Sequence, residues 1–298
     1  MILINEVNIT NFLVYALNNM FSNLLSSVNE NLYAWLDDLV FINTSITKNL
    51  IHIIGGSAFS GIKLLCNALI YGFILYYAIS YLLSHITFSQ IERPFQFIFK
   101  LLLCTIAFNA SEYICSGLIS ICSTITDIVR DLGNFSFNID ISFASLVEDV
   151  LPSEYFTSNS FSLFSFDGIL RTTITFGFLG LSVSYAIRYI LLKVLIIISP
   201  FAILSLASSK TSPFFKAWFK NFMALLLLQI FISAILLVCF IIEDKEISFL
   251  PSQILHLGMI YTLFKSNSFM KDLIGGFSTE VNLSIPNISS FLKGGISK

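Results

Sequence analysis

Five stretches of this chain are apolar almost without interruption: 62–83, 97–121, 169–207, 221–242 and 250–264. A helix crossing a bilayer needs about 20 such residues. Backbone polar groups in lipid must be satisfied within the chain, which leaves helices or closed barrels as the only spanning structures. Charged residues make up 11% of the chain, against about 25% in a soluble domain. So few charges cannot build a water-facing surface. The expected fold is all-α, a polytopic transmembrane bundle of about five spans, with an amphipathic helix near its N-terminus. The last stretch is short and must stand upright or meet thinned bilayer.

Region 169–207 decides the topology. As one straight helix it would be about 58 Å long, nearly twice a bilayer core of about 30 Å. Two spans would need a turn, yet the middle reads AIRYILLKV, without Gly, Pro, Asn or Asp. The helix is therefore expected to continue through Arg188 and to break near Pro200, which has no N–H to donate. Arg188 and Lys193 would leave the core on one side. Residues 194–207 would lie at that interface or dip back, covered by protein.

The Lys/Arg bias orients the spans. Five crossings with the N-terminus outside put Arg93, Lys100, Lys210, Lys216, Lys220, Lys265, Lys271, Lys293 and Lys298 inside. Lys48, Lys63, Arg130, Arg171 and Lys245 then lie outside. Six crossings with the N-terminus inside fit the bias about equally well, and the missing turn favours five. No Lys or Arg precedes Lys48, so no cleaved signal peptide is expected.

The chain divides into five blocks on this reading. Residues 1–59 form an extracytoplasmic region with an amphipathic helix over 10–39, where Leu13, Leu17, Met20, Leu24, Val28, Leu32, Trp35 and Leu39 recur at helical spacing. That helix lies in the outer interface or serves an oligomer or partner contact. Residues 60–121 hold the first two spans. Residues 122–168 form an extracytoplasmic acidic and aromatic loop, too apolar for a plain linker, which folds back on the membrane or packs on another subunit. Residues 169–270 form the C-terminal transmembrane bundle, and 271–298 a flexible cytoplasmic tail.

No catalytic constellation assembles. The three His are scattered and there is no HExxH, phosphate-cradling loop or metal-ligand spacing. Neither enzymatic activity, cofactor nor metal is expected. The five Cys lie in or beside apolar stretches and read as buried thiols. Polar groups within spans matter more, because a charge at the bilayer centre costs about 2.5–3.5 kcal/mol on insertion scales. Glu112, Arg188 and Lys193 are the charged candidates; Asn67, Asn109, Gln229, Gln253 and His256 are the neutral ones. They either make interhelical hydrogen bonds and snorkel, or line a translocation path, with Glu112 and Arg188 as one candidate pair. Ala68 with Gly72, and Gly180 with Ser184, offer small faces for helix contact.

The run from 188 reads RYILLKVLIIISPFAILSLASSKTSPFFKAWFKNF. It resembles the TrbL family, polytopic inner-membrane subunits of type IV secretion and conjugation machines. The family's signature has an Arg late in a span, an apolar run, a Ser-Pro-aliphatic break and a basic stretch with Trp. The matching positions are Arg188, Ser199, Pro200, Phe201, Lys216, Trp218 and Lys220. The layout is also similar, with Glu92-Arg93-Pro94 between the first two spans. The resemblance covers most of the chain in layout and 35 residues in detail, and its compact size looks like Gram-positive conjugation versions. It implies a non-enzymatic channel or platform subunit for DNA or protein transfer, in the bacterial plasma membrane, with the N-terminus outside and the C-terminus cytoplasmic. Its implied partners are other secretion subunits and their ATPases, membrane lipids, further copies of itself, and transferred DNA or protein. One departure is the acidic 122–168 loop, which would repel DNA phosphates rather than neutralise them. A small-solute permease subunit and a membrane scaffold remain alternatives.

Overall fold

The computed structural model describes residues 12, 14–20, 23, 36–42, 45–87, 93–137, 140–150, 165–243 and 249–274. Most of the amphipathic stretch 10–39, the loop 151–164, Lys245 and the tail from Gly275 lie outside the described residues. Everything regular among the described residues is helical. The helices are α1 (Ser45–Thr87), α2 (Pro94–Asn109), α3 (Ser111–Phe137), α4 (Phe143–Val150), α5 (Phe166–Leu204), α6 (Ser212–Glu243) and α7 (Phe249–Ile274). A single 3-10 turn, Ser205–Ala207, follows α5. Residues 36–40 form a further short helical segment.

Four segments are long and apolar enough to cross a membrane: Ser60–Ile86, Ser111–Ser136, Gly168–Ala207 and Ser212–Ile241; Pro94–Asn109 is a shorter apolar helix. The protein is a multi-pass membrane protein with an all-α bundle.

Helix α5 is the axis of the bundle and packs against α1, α2, α3, α6 and α7. Ser165 starts it, its hydroxyl accepting the Gly168 N–H at 3.0 Å, which satisfies one of the helix's orphan donors. Its neighbours stack along its length in order. Ala207 meets Phe97, Leu101 and Cys104 of α2. Ile203 and Leu204 meet Phe108 of α2 and Cys66 of α1. Leu192 and Ile196 meet Cys115, Ile119 and Cys122 of α3 with Trp218, Phe222 and Leu225 of α6. Ile174, Phe178, Leu181 and Tyr185 form the largest core with α4, α6 and α7. Both α2–α3 and α6 therefore run antiparallel to α5. Close packing is local: a Cβ on Gly180 would meet the Phe264 ring of α7 at 2.7 Å, and one on Gly177 would meet Ile260 at 2.8 Å. The Gly180–Ser184 face expected from the sequence is thus a true contact, whereas Gly72 on α1 faces open space.

Two expectations need correction. Helix α5 does not break near Pro200; it runs through to Leu204. The proline removes the donor that would reach the Ile196 carbonyl, and the Ser199 hydroxyl bonds that carbonyl instead at 2.7 Å. The neighbouring Leu195 carbonyl receives the Trp218 indole N–H at 2.9 Å. With the freed backbone resatisfied, a proline in a membrane helix is tolerated. Second, the run 97–121 is not one helix. The chain is interrupted at Ala110 (φ −88, ψ 4), and α3 then continues to Phe137, into what was read as loop. Thr105 and Asn109 turn their side chains back onto the carbonyls of Leu101 and Thr105, the kind of local competition that weakens a helix end. The apolar stretch 250–264 lies within a longer helix, α7, which continues to Ile274.

The acidic, aromatic segment beyond α3 folds back onto this same chain. Ile141, Phe143, Leu146 and Val147 are buried in the main core together with Leu36 and Val40 of the N-terminal segment.

Candidate functional site: a buried polar centre at Arg188

Arg188 projects from the middle of α5 and is fully buried. Its Nε and Nη2 both donate to the Leu225 carbonyl of α6, at 3.0 and 2.7 Å. Its Nη1 donates to the Val40 carbonyl at 2.9 Å. Among the described residues every hydrogen-bond partner of this guanidinium is a backbone carbonyl, and none is a carboxylate. A rigid, planar fork suits this task better than an ammonium would, and bonds from a charged donor are the stronger kind.

The Val40 carbonyl belongs to residues 36–42, which thread between the helices. Leu36, Val40 and Ile42 are buried. Gln229, one turn beyond Leu225 on α6, holds the same segment from the other side: its Oε1 accepts the Ile42 N–H at 3.1 Å. Asp37 reaches further, accepting the N–H groups of Phe143 at 2.9 Å and Ala144 at 3.4 Å. It thereby caps the start of α4. Burial pushes the Asp37 carboxyl above its usual 3.8, against the two N–H bonds and the Arg130 charge, which pull it down. Arg130 of α3 stacks over the Phe41 ring, 4.7 Å from its centroid, and donates to the Ile141 carbonyl at 2.9 Å.

Beside this clamp lies a polar cavity of about 220 Å³, lined by Asp37, Asp38, Asp127, Arg130 and Gln229 among others. Among the described residues the Gln229 Nε2 is buried without a hydrogen-bond partner. Three carboxylates against one guanidinium leave the cavity acidic. The arrangement can hold water and polar groups within the bundle, and it couples the N-terminal segment to α3, α4, α5 and α6 at once.

The residues singled out from the sequence fall into four groups. Arg188, Pro200 and Trp218 all lie on the α5–α6 hairpin, Arg188 about three turns along α5 from Pro200. Trp218 is buried and stacks on Phe222, with centroids 5.3 Å apart and planes at 9°. Lys193 folds back over the Tyr189 ring of the same helix, 4.2 Å from its centroid. Lys216 and Lys220 are exposed on the first turns of α6. Glu112 does not meet Arg188; it pairs with Lys63 of α1 at 3.8 Å. Arg188 lies a full register further along α5, facing Cys122 rather than the start of α3. Asp37, Arg130 and Asp127 were not expected in the site. Their sequence signal is faint: two acids at the end of an amphipathic stretch, and a lone arginine among acids. Only the fold brings them to one place.

The class of protein is defined by these features: a multi-pass helical membrane protein with a polar centre sealed by its own N-terminal segment. No protein-family model, curated protein or solved structure matches the chain.

Proposed function

We propose that this protein is a channel or platform subunit of a type IV secretion machine, a TrbL-like component of conjugative DNA or protein transfer. The observation that carries the reading is the coherence of the stretch that resembles the family. Arg188, Ser199, Pro200 and Trp218 are not scattered matches. Each of them acts on the backbone of one hairpin, α5–α6: Arg188 on Leu225, Ser199 on the carbonyl Pro200 leaves free, and Trp218 on Leu195. A signature whose members share one structural task is better support than the same residues met singly. The exposed Lys216 and Lys220 continue it toward the surface.

On this reading the membrane is the bacterial plasma membrane, with the N-terminal segment outside and residues 208–220 and the C-terminus inside. The machine's ATPases supply the energy, and this chain contributes the membrane passage or its frame. The acidic cavity is then a place a polyanion avoids, so DNA would pass elsewhere or be accompanied by protein.

The test is deletion of the gene followed by a plasmid-transfer assay between cells. The expected result is loss of transfer, restored by the wild-type gene. Normal transfer in the deletion strain rejects the reading. Reporter fusions at residues 145 and 210 check the orientation, with 145 expected outside and 210, in the connection after α5, inside.

A further inference from the structure

The connection between α5 and α6 carries a second feature, remote from the Arg188 centre. A chain that leaves the bilayer after Ala207 and re-enters from Ser212 must place 208–211 at the membrane surface. From Ser205 to Lys220 this region contains three lysines and no acid. Lys210 lies in the connection itself. Lys216 and Lys220 follow at one-turn spacing on the exposed face of α6, and neither makes an ion pair among the described residues.

Lys210 is held in place. Its ammonium donates to the Tyr76 hydroxyl of α1 at 2.6 Å and sits 5.4 Å from the centroid of that ring. Between α1 and the connection lies a groove of about 370 Å³. On the α1 side it is lined by Leu69, Gly72, Phe73 and Tyr76, and on the connection side by Ser208, Lys210 and Thr211. Gly72 matters to its shape, because a Cβ there would meet nothing within 4 Å. Among the described residues the Ser208 hydroxyl accepts one long contact, from the Lys210 amide at 3.4 Å, which leaves its proton for an acceptor.

A groove with a positioned cation at the membrane surface and apolar residues on its α1 side has the polarity of an anionic amphiphile. We propose that it binds one anionic phospholipid, the headgroup phosphate on Lys210 and Ser208 and an acyl chain against Leu69, Gly72 and Phe73. Charge complementarity selects this occupant. Basic pockets between membrane helices recognise anionic headgroups, and each basic residue near an anionic lipid surface contributes about 1 kcal/mol. A free phosphate would find one lysine and leave the apolar side unused. A purely apolar partner helix would offer the Lys210 charge no anion, leaving it only the neutral Tyr76 hydroxyl.

Native mass spectrometry of the detergent-purified full chain, titrated with phosphatidylglycerol or phosphatidylcholine, tests this. The expected result is one retained phosphatidylglycerol, favoured over phosphatidylcholine by a factor of about five or more, the factor one such basic residue supplies. Lys210→Gln should abolish the preference by removing the charge. Gly72→Leu should lower retention of both lipids by filling the groove while keeping the charge. Lys63→Gln, on the same helix but outside the groove, should change neither, and millimolar inorganic phosphate should not displace the lipid. Equal retention of the two lipids by the wild type overturns the proposal. So does unchanged preference in Lys210→Gln, which alters an exposed side chain and is not expected to impair folding. Displacement by inorganic phosphate would reassign the site to a free anion. A lipid-free dimer that Gly72→Leu dissociates would reassign the groove to a second copy.

Discussion

Arg188 shows what a single buried charge can do when it has no carboxylate partner. It spends its hydrogen bonds on two carbonyls far apart in sequence, Val40 and Leu225, and so joins the N-terminal segment to α6 through α5. Substitution should be costly in a specific way. Arg188→Ala is expected to destabilise the purified protein by about 1–3 kcal/mol, since three charge-assisted bonds are lost and a cavity is left. Arg188→Lys should recover only part of this, because one ammonium cannot span both carbonyls with the fork's geometry. Thermal unfolding in detergent reads both; equal stability of Arg188→Ala and wild type would refute the clamp. Asp37 gives a pH prediction. Its folded-state pKa is raised above 3.8 by burial, so the unfolded chain binds fewer protons between the two values. This residue's contribution to stability therefore falls as pH rises from 3.8 through the raised value, and is regained on acidification. Asp37→Asn should flatten that part of the pH–stability curve. Asp37→Ala should also lose the cap on α4, at a cost of about 1 kcal/mol.

At the scale of the element, Ser199 and Pro200 explain how α5 stays whole. The serine hydroxyl replaces the N–H that proline lacks. The two should be strongly coupled. Ser199→Ala alone leaves the Ile196 carbonyl exposed to an apolar setting and should cost about 1 kcal/mol. In a Pro200→Ala background the backbone N–H returns and the same change should cost little. A double-mutant cycle measures the difference, and additive effects would show the hydroxyl to be irrelevant to the proline. Proline alone therefore misleads as a break signal; the residue before it and the tryptophan across the hairpin decide the outcome. Helix packing offers a second contrast. Gly180→Leu must displace the Phe264 ring and is expected to cost about 1–3 kcal/mol by overpacking. Gly117→Leu on α3, where a Cβ meets nothing within 4 Å, should be nearly neutral in the same unfolding assay.

At the scale of the whole molecule, the inserted segment 36–42 is the unexpected feature. It shares the main core with α4, α5, α6 and α7 and is tied by Arg188, Gln229 and, through Asp37, by α4. Hydrogen exchange should find the Ile42 amide strongly protected in the wild type. Arg188→Ala combined with Gln229→Ala should release it while leaving the amides of α6 protected; unchanged protection would mean apolar packing alone seats the segment. The division of the chain into five consecutive blocks misses this, because the core mixes residues from the first, third and fourth. What the sequence determined by itself is whatever depends on local composition. Apolar runs must be helices in lipid, the middle of 169–207 holds no residue that would turn the chain, and Gly180 with Ser184 permits close approach; that the helix passes Pro200 unbroken was not among these. Each follows from the transfer cost or the shape of residues near one another in the chain. What only the tertiary structure decided is partnership. Glu112 took Lys63 rather than Arg188, and Arg188 took a carbonyl 148 positions away. A polar group buried in a bundle must find some partner, and the sequence states that need. Which one it finds depends on the register of helices packed against each other, a property no single stretch contains.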